Sequence, residues 1–140
     1  MKEIIVPNDL VSAKRPEEVI LAEVCQCGYD ESATFAIKLA LEEAMTNAVR
    51  HGNRSDPTKR ILVKYTVTVE RTEIVVRDEG PGFQPDAVPD PTLPENIDRP
   101  NGRGIMLMRA YLDEVEYCDG GRAVRLVKLN KCEKNDCPDQ

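Results

Sequence analysis

No stretch of the 140-residue chain is apolar for the roughly 20 residues that a membrane-spanning helix requires. The first ten residues hold no long apolar run either, so a secretory signal is not expected. Positive charge is not in excess, since 25 acidic residues outnumber 19 basic ones and the net charge is −6. This balance argues against direct binding of nucleic acid or of an anionic membrane. We therefore expect a cytoplasmic protein.

Histidine is nearly absent, and the cysteines do not form an even set. The five cysteines, in a chain with no expected export signal, argue against a disulfide framework. The spacings C-x-C at 25–27 and C-x-x-x-x-C at 132–137 leave a zinc site as an alternative. Because the sole histidine, His51, lies elsewhere in the sequence, free thiols are the prediction.

The length fits a single domain, which we place at residues 1–130, followed by a flexible tail at 131–140. Alternating apolar residues and turn signals predict five strands, and the helical period of apolar residues predicts three helices. The predicted strands lie at 2–6, 61–69 and 73–78 and at "VEYC" and "RAVRLVKLN", which "DGG" joins; the predicted helices lie at 12–27, 31–51 and 105–112.

Residues 80–101 differ from the rest of the chain because they hold six of its ten prolines. A loop of this length inside a small domain is usually functional or disordered. Glycines stand at both of its ends. We expect a lid over a binding site.

The segment "LEEAMTNAVRHGN", residues 41–53, carries the first candidate site. Glu43 and Asn47 are four residues apart, so they are neighbours on one face of a helix. A carboxamide oxygen beside a carboxylate suits a magnesium ion that keeps water and phosphate oxygens as its other ligands. Asn47 would supply the metal ligand, and Glu43 would accept a proton. A solvated helical face is the alternative, and for His51 a favourable interaction with the helix dipole is expected.

The segment "RDEGPGF", residues 77–83, carries the second candidate. Asp78 follows a predicted strand on the same side as its apolar residues, and an ionised carboxylate accepts hydrogen bonds only. An exocyclic amine such as that of adenine fits this acceptor, while Gly80 and Gly82 let a flat ring approach the backbone. An aspartate that caps its own turn is the alternative.

The segment "NGRGIMLM", residues 101–108, carries the third. Gly102 and Gly104 precede a predicted helix, whose exposed N–H groups favour a phosphate. Arg103 adds a positive charge. Ordinary loops also contain this pattern. The order of the three segments, with the predicted lid between the second and the third, nevertheless matches the parts of a bound Mg-ATP.

These segments resemble the three motifs of the GHKL, or Bergerat-fold, ATPase superfamily: "EAMTNAVRHGN" its N box, "DEGPGF" its first glycine box and "NGRGIMLM" its second. The short chain, "TNAVRHGN" and "GIMLMRAYLDEVEY" resemble most the RsbW-type anti-sigma factor serine/threonine kinases. The resemblance covers roughly residues 1–130. The proline-rich lid is a departure, so its closing behaviour does not carry over.

The resemblance implies roles for individual residues. Glu43 matches the general base that activates the substrate hydroxyl, Asn47 the magnesium ligand and Asp78 the carboxylate that reads adenine. The family's glycines around the nucleotide and lid correspond to Gly82, Gly102 and Gly104. Sensor histidine kinases of the same superfamily tend to have Asn where Glu43 stands and carry the acceptor histidine on a separate helical segment.

The resulting expectation is a two-layer α/β (α+β) sandwich with a mixed, mostly antiparallel sheet and helices on one face. The resemblance implies an anti-sigma factor that binds ATP and Mg²⁺ and phosphorylates a serine or threonine of an anti-anti-sigma (STAS-type) partner. It further implies that the chain sequesters a sigma factor, often as a homodimer, without touching DNA. The alternative is a non-catalytic nucleotide-binding module that switches between partners.

Overall fold

The computed structural model describes residues 1–52, 56, 58–80 and 110–130. Within them the chain forms five strands, two complete α-helices, two short helical turns and two further helical residues at 110–111. In chain order these are β1 (Lys2–Pro7), α1 (Lys14–Gln26), α2 (Glu31–Asn47), a π-helical turn (Ala48–Gly52), β2 (Arg60–Val67), β3 (Arg71–Arg77), β4 (Glu114–Cys118), a 3₁₀ turn (Asp119–Gly121) and β5 (Ala123–Leu129).

The five strands form one sheet in the order β1-β2-β3-β5-β4. Each pair of neighbours in this order is antiparallel. Both helices lie against one face, which gives a mixed α+β sandwich of two layers. The predicted fold class is confirmed.

The core lies between the helices and the inner face of the sheet. Period two along the strands places one apolar row on that face, and the apolar stripes of α1 and α2 cover it. Three neighbouring strands contribute buried residues in register: Val63 pairs with Val76, and Val76 pairs with Val124. The fully buried large side chains include Ile20, Val24, Ile37, Leu41, Ile61, Ile74 and Leu126.

The helix ends follow local sequence chemistry. Asp30 precedes α2, and its Oδ1 accepts a hydrogen bond from the Ala33 N–H at 2.7 Å, as an N-cap residue should. Gly28 follows α1 with a φ of 80°, a conformation that glycine adopts without strain. α1 therefore begins and ends close to the predicted residues, and α2 begins at the predicted residue.

The hairpin between β4 and β5 also agrees with the sequence. Gly120 and Gly121 both have positive φ, at 65° and 89°, and Cys118 pairs with Ala123 across the turn. The glycines of "DGG" thus reverse the chain as predicted.

Two boundaries differ from the prediction. The apolar alternation placed Val69 in β2, but the strand ends at Val67 and Val69 is 67% exposed. The Thr68 N–H and hydroxyl both donate to the Arg71 carbonyl, so the turn begins at Thr68, earlier than predicted. The alternation of apolar residues therefore continues beyond the end of the strand. The second helix, predicted to reach residue 51, is α-helical only to Asn47 and continues as the π-helical turn.

Three predictions fall wholly or largely outside the described residues. These are the lid at 80–101, apart from Gly80, the tail at 131–140, and the helix at 105–112, of which Ala110 and Tyr111 are described as helical and Leu112 as a bend. None of the described helices is long and apolar enough to cross a bilayer.

A pair of carboxylates joins the two helices. Glu17 of α1 is hydrogen-bonded to Glu42 of α2, and its pKa is raised to about 7, first by burial and then by this contact. Lys38 and Lys14 oppose the shift. Since the pKa in the folded state lies above that of an unfolded glutamate, the folded chain holds the proton more tightly and loses stability as pH rises through about 4.5 to 7.

Replacing Glu17 by Gln is therefore expected to raise the stability at about pH 8, where the wild-type carboxylates repel each other, and to flatten its decline between pH 5 and 8. Urea unfolding midpoints at both pH values measure this. Glu18→Gln removes an exposed charge from the neighbouring position and serves as the control. An equal decline with pH in Glu17→Gln and in the wild type would contradict the assignment.

Candidate functional site

Glu43 and Asn47 lie in the last turns of α2. They are one turn apart, and each is half-buried beside the apolar stripe that contains Ala40 and Ala44. Glu42, the neighbour of Glu43, is exposed. The predicted pair therefore sits where the helix leaves the core, with one edge against apolar residues.

This position changes the acidity of Glu43. Burial raises its pKa above that of an ordinary glutamate, and the negative charge of Glu42 raises it further. Partial burial next to a like charge disfavours the ionised carboxylate. A carboxylate with a raised pKa is a stronger proton acceptor once it is ionised.

A π-helical turn follows Asn47 directly. It runs over Ala48–Gly52, and such turns occur frequently at functional sites. It also carries Arg50, which is exposed, and His51. The side chain of His51 lies outside the described part of the chain, so its predicted interaction with the helix dipole stays a prediction. Gly52 ends the turn, as expected for a glycine at this position.

Asp78 follows the last residue of β3 and continues the inward row of Thr72, Ile74 and Val76. Its backbone N–H donates to the Arg122 carbonyl at 2.9 Å, so β5 and its turn fix the start of the corner. Its Oδ1 accepts a hydrogen bond from the Gly80 N–H at 2.8 Å. Asp78 thus caps its own turn, which was the alternative interpretation. Its carboxylate also has a second oxygen for another donor.

The surroundings of Asp78 act in opposite directions on its acidity. Burial raises the pKa, whereas the bond from Gly80 and the positive charges of Arg122, Arg77 and Lys59 lower it. Burial dominates, so the pKa lies above the usual value for an aspartate. A half-buried acceptor of this kind favours a ligand that brings its own donor.

Arg122 and Lys59 support this corner, and sequence reasoning missed both. Arg122 Nε donates to the Gly80 carbonyl at 2.9 Å, and Lys59 Nζ donates to the Glu79 carbonyl at 3.1 Å. The two bonds hold backbone oxygens of the turn from two sides. In the sequence, Arg122 is marked only by its position after "DGG", and Lys59 only by its position before a strand.

The helix and the strand bring Asn47 and Asp78 to the same end of the domain. The Tyr29 hydroxyl, just before α2, donates to the Thr68 carbonyl in the turn before β3 at 2.8 Å, so both elements run away from this point. Ala40 and Ile74 line one small cavity. From there Asn47 is about 10 Å further along the helix, and Asp78 is about 13 Å further along the strand.

The cleft that borders Asp78 in the described residues opens on the outer face of the sheet. Its volume is about 200 Å³, and its lining residues are Ile5, Arg60, Leu62, Arg77, Asp78 and Glu79. Glu43 and Asn47 do not line it. The structure therefore brings the three predicted residues to one end of the domain without enclosing them in a single described cavity.

The remaining predicted positions are not described. Gly82, Gly102, Arg103 and Gly104 lie in segments whose placement the structure does not give. In the described part of the chain no group of three or more His, Cys, Asp or Glu side chains forms a metal site. The oxygen donors of Asn47 and Glu43 nevertheless fit magnesium, which requires few protein ligands.

Comparisons with known proteins find similarity over most of the chain. A family model described as "Histidine kinase-like ATPase domain" matches residues 7–128. The "Serine-protein kinase RsbW" of Bacillus licheniformis is 34% identical over 119 residues, which cover 78% of this chain and 72% of the relative. The protein of that name from Bacillus subtilis (strain 168) is 31% identical over 116 residues, with the same two shares. The one from Listeria monocytogenes serovar 1/2a is 28% identical over 127 residues, 81% of each chain.

Asp78→Asn is expected to weaken adenine-nucleotide binding at least about tenfold, equivalent to about 1.4 kcal/mol. The amide keeps an oxygen for the Gly80 N–H but loses the charged acceptor for an exocyclic amine. Titration with a fluorescent ATP analogue measures the affinity. Glu70→Gln, which removes an exposed charge from the turn at the opposite end of β3, is the control, and equal affinity in Asp78→Asn and the wild type would contradict the role.

Proposed function

The chain belongs to the histidine kinase-like ATPase domain family, and from that premise we propose that it is an ATP-dependent serine/threonine protein kinase with anti-sigma activity. Its substrate is a hydroxyl on an anti-anti-sigma partner of the STAS type, and it also sequesters a sigma factor. The observation that carries the proposal is the half-buried Glu43, with its raised pKa, one helical turn before Asn47.

Glu43 has the properties of the general base. The hydroxyl oxygen of the substrate attacks the γ-phosphorus of ATP, the bond to the β–γ bridging oxygen breaks, and ADP leaves. Glu43 accepts the hydroxyl proton during this transfer. Positioning and charge neutralisation do most of the remaining work in phosphoryl transfer, and no phosphate-accepting histidine is needed.

Asn47 would hold the magnesium ion through its carboxamide oxygen. The ion, when bound with ATP, neutralises charge on the phosphates. Because Asn47 and Glu43 share one helical face, the same element would position both the metal and the base. The helix would therefore set a fixed spacing between the metal ligand Asn47 and the proton acceptor Glu43.

Asp78 would recognise adenine with the carboxylate oxygen that Gly80 does not engage. Gly80 and Gly82 would allow the base to lie against the backbone. Gly102, Arg103 and Gly104 would contribute N–H groups and a positive charge for the phosphates. An acceptor at position 78 suits the amine of adenine better than the carbonyl of guanine.

The choice of a hydroxyl as phosphate acceptor is supported by the relatives, which are named serine-protein kinases. The presence of Glu at position 43, rather than Asn, supports the same choice. The sigma factor, the STAS-type partner, homodimer formation and a cytoplasmic location rest on the family resemblance. The net charge of −6 favours protein partners over nucleic acid.

Glu43→Gln is expected to keep ATP affinity and to lower phosphate transfer by about 10²–10⁴-fold, the usual contribution of a general base. The experiment incubates the chain with γ-labelled ATP, Mg²⁺ and a STAS-domain protein that carries the candidate serine. A filter assay for bound nucleotide runs in parallel, so loss of chemistry is separated from loss of binding.

Glu18→Gln is the matched control, since it makes the same substitution at an exposed position of α1. It is expected to transfer phosphate at the wild-type rate. Undiminished transfer by Glu43→Gln would remove Glu43 from the mechanism. ATP binding without transfer in the wild type, while the partner docks, would favour the non-catalytic switching module.

Glu42→Gln is expected to shift the pH dependence of transfer. A general base works when ionised, so the rate falls as pH drops through the raised pKa of Glu43. Removing the neighbouring charge lowers that pKa and moves the acidic limb of the profile to lower pH, although burial, the larger cause, remains. Single-turnover rates from about pH 5 to 8 measure the shift, and an unmoved limb would contradict the coupling.

A further inference from the structure

Arg122 closes a ring of three hydrogen bonds with the corner that follows β3. The Asp78 N–H donates to the Arg122 carbonyl at 2.9 Å, and Arg122 Nε donates to the Gly80 carbonyl at 2.9 Å. The Gly80 N–H completes the ring by donating to Asp78 Oδ1 at 2.8 Å. Each of the three residues therefore donates one bond and accepts one, so the position of each depends on the other two.

The register of the sheet places Arg122 opposite Asp78. Arg77 pairs with Ala123, so Asp78 and Arg122 are the next residues beyond that pair on two neighbouring strands. Arg122 is half-buried, and a Cβ at Gly120 would lie 3.6 Å from its Nη1. The guanidinium therefore also lies against the turn of its own hairpin, between β4 and β5.

The bond from Arg122 has a buried acceptor. Gly80 is buried, whereas the preceding residue, Glu79, is exposed, and its carbonyl accepts from Lys59. A buried carbonyl that loses its donor costs more free energy than an exposed one, because water does not replace the donor. The guanidinium of Arg122 therefore fixes Gly80, and the N–H of Gly80 in turn fixes the carboxylate of Asp78.

We propose that Arg122 is a positioning residue for nucleotide recognition, which acts through the Gly80 carbonyl to aim the carboxylate of Asp78 at the exocyclic amine of adenine. The inference rests on the proposed function, in which Asp78 recognises adenine. It adds that the hairpin between β4 and β5, which lies outside the three sequence motifs, takes part in recognition of the base. Arg122 does not itself contact the nucleotide in this role.

The competing explanation is that Arg122 only stabilises the hairpin. Its loss would then weaken the binding of every nucleotide to the same extent. An oriented Asp78 discriminates between bases instead, because adenine carries an amine where the base of inosine triphosphate (ITP) carries a carbonyl, and a carboxylate accepts only from the amine. The ratio of the affinities for ATP and ITP therefore reports the orientation of Asp78 separately from the stability of the domain.

Arg122→Met and Arg122→Gln form a matched pair of variants. Both remove the positive charge and keep an unbranched side chain, but only glutamine has an N–H donor as many bonds from Cα as Arg Nε. Arg122→Met is expected to weaken ATP binding about three- to tenfold, as for the loss of one hydrogen bond, and to change ITP binding less than about twofold. Arg122→Gln should keep most of the preference for ATP.

Calorimetric titration of the full-length chain with each nucleotide and Mg²⁺ measures the affinities, and unfolding temperatures are recorded for every variant. Arg71→Met removes an exposed arginine from the opposite end of β3, and it should change neither affinity. Asp78→Asn provides a second measurement. Because the charged acceptor is already absent there, adding Arg122→Met should lower ATP affinity by less than about a further twofold.

Three results would overturn the proposal: an unchanged ratio of ATP to ITP affinity in Arg122→Met, an equal loss in Arg122→Met and Arg122→Gln, or additive effects of Arg122→Met and Asp78→Asn. If the wild type prefers ATP in such a case, adenine recognition by Asp78 stands and only the role of Arg122 fails. A wild type that does not distinguish ATP from ITP overturns both. Arg122→Ala replaces Arg122→Met should the latter not fold.

Discussion

The contact of α2 with the inner face of the sheet positions two of the candidate site residues, Glu43 and Asn47. Its stripe of small and aliphatic residues, from Ala33 to Met45, is buried against the strands. Four of those positions are alanines, so the helix backbone lies close to the sheet. Because this packing fixes the rotation of the helix, it also fixes the direction of residues at the edge of the stripe. The packing of α2 on the sheet therefore determines where Glu43 and Asn47 lie.

The same packing explains why a glutamate here differs from one on the surface. Residue 42 faces solvent and residue 43 the boundary of the core, a difference of 100° in rotation. Burial on one side raises the pKa of Glu43, and the exposed Glu42 adds to it. A small change in how α2 lies on the sheet would change the burial of Glu43 and therefore its pKa. The stability of the core and the acidity of Glu43 are thus properties of one interface.

The sequence predicted the five strands and the first two helices well because their signals are local. Alternation in β2, the Asp30 cap and the glycines of "DGG" each act within a few residues. The errors at Val69 and at residue 48 have a physical cause, since apolar periodicity does not report where hydrogen bonding changes. The bonds of Arg122 and Lys59 to the turn were not predictable, because they join residues that are 42 and 20 positions apart from their partners.

Asp78 shows why the two interpretations of a motif need not exclude each other. Its Oδ1 closes the turn through Gly80, and Arg122 holds the carbonyl of the same glycine. Those bonds orient the carboxylate before any ligand arrives, which reduces the entropy lost on binding. A carboxylate has more acceptor positions than one N–H can use. The turn that competes with ligand binding as an explanation for the aspartate would therefore also orient its remaining oxygen for a ligand.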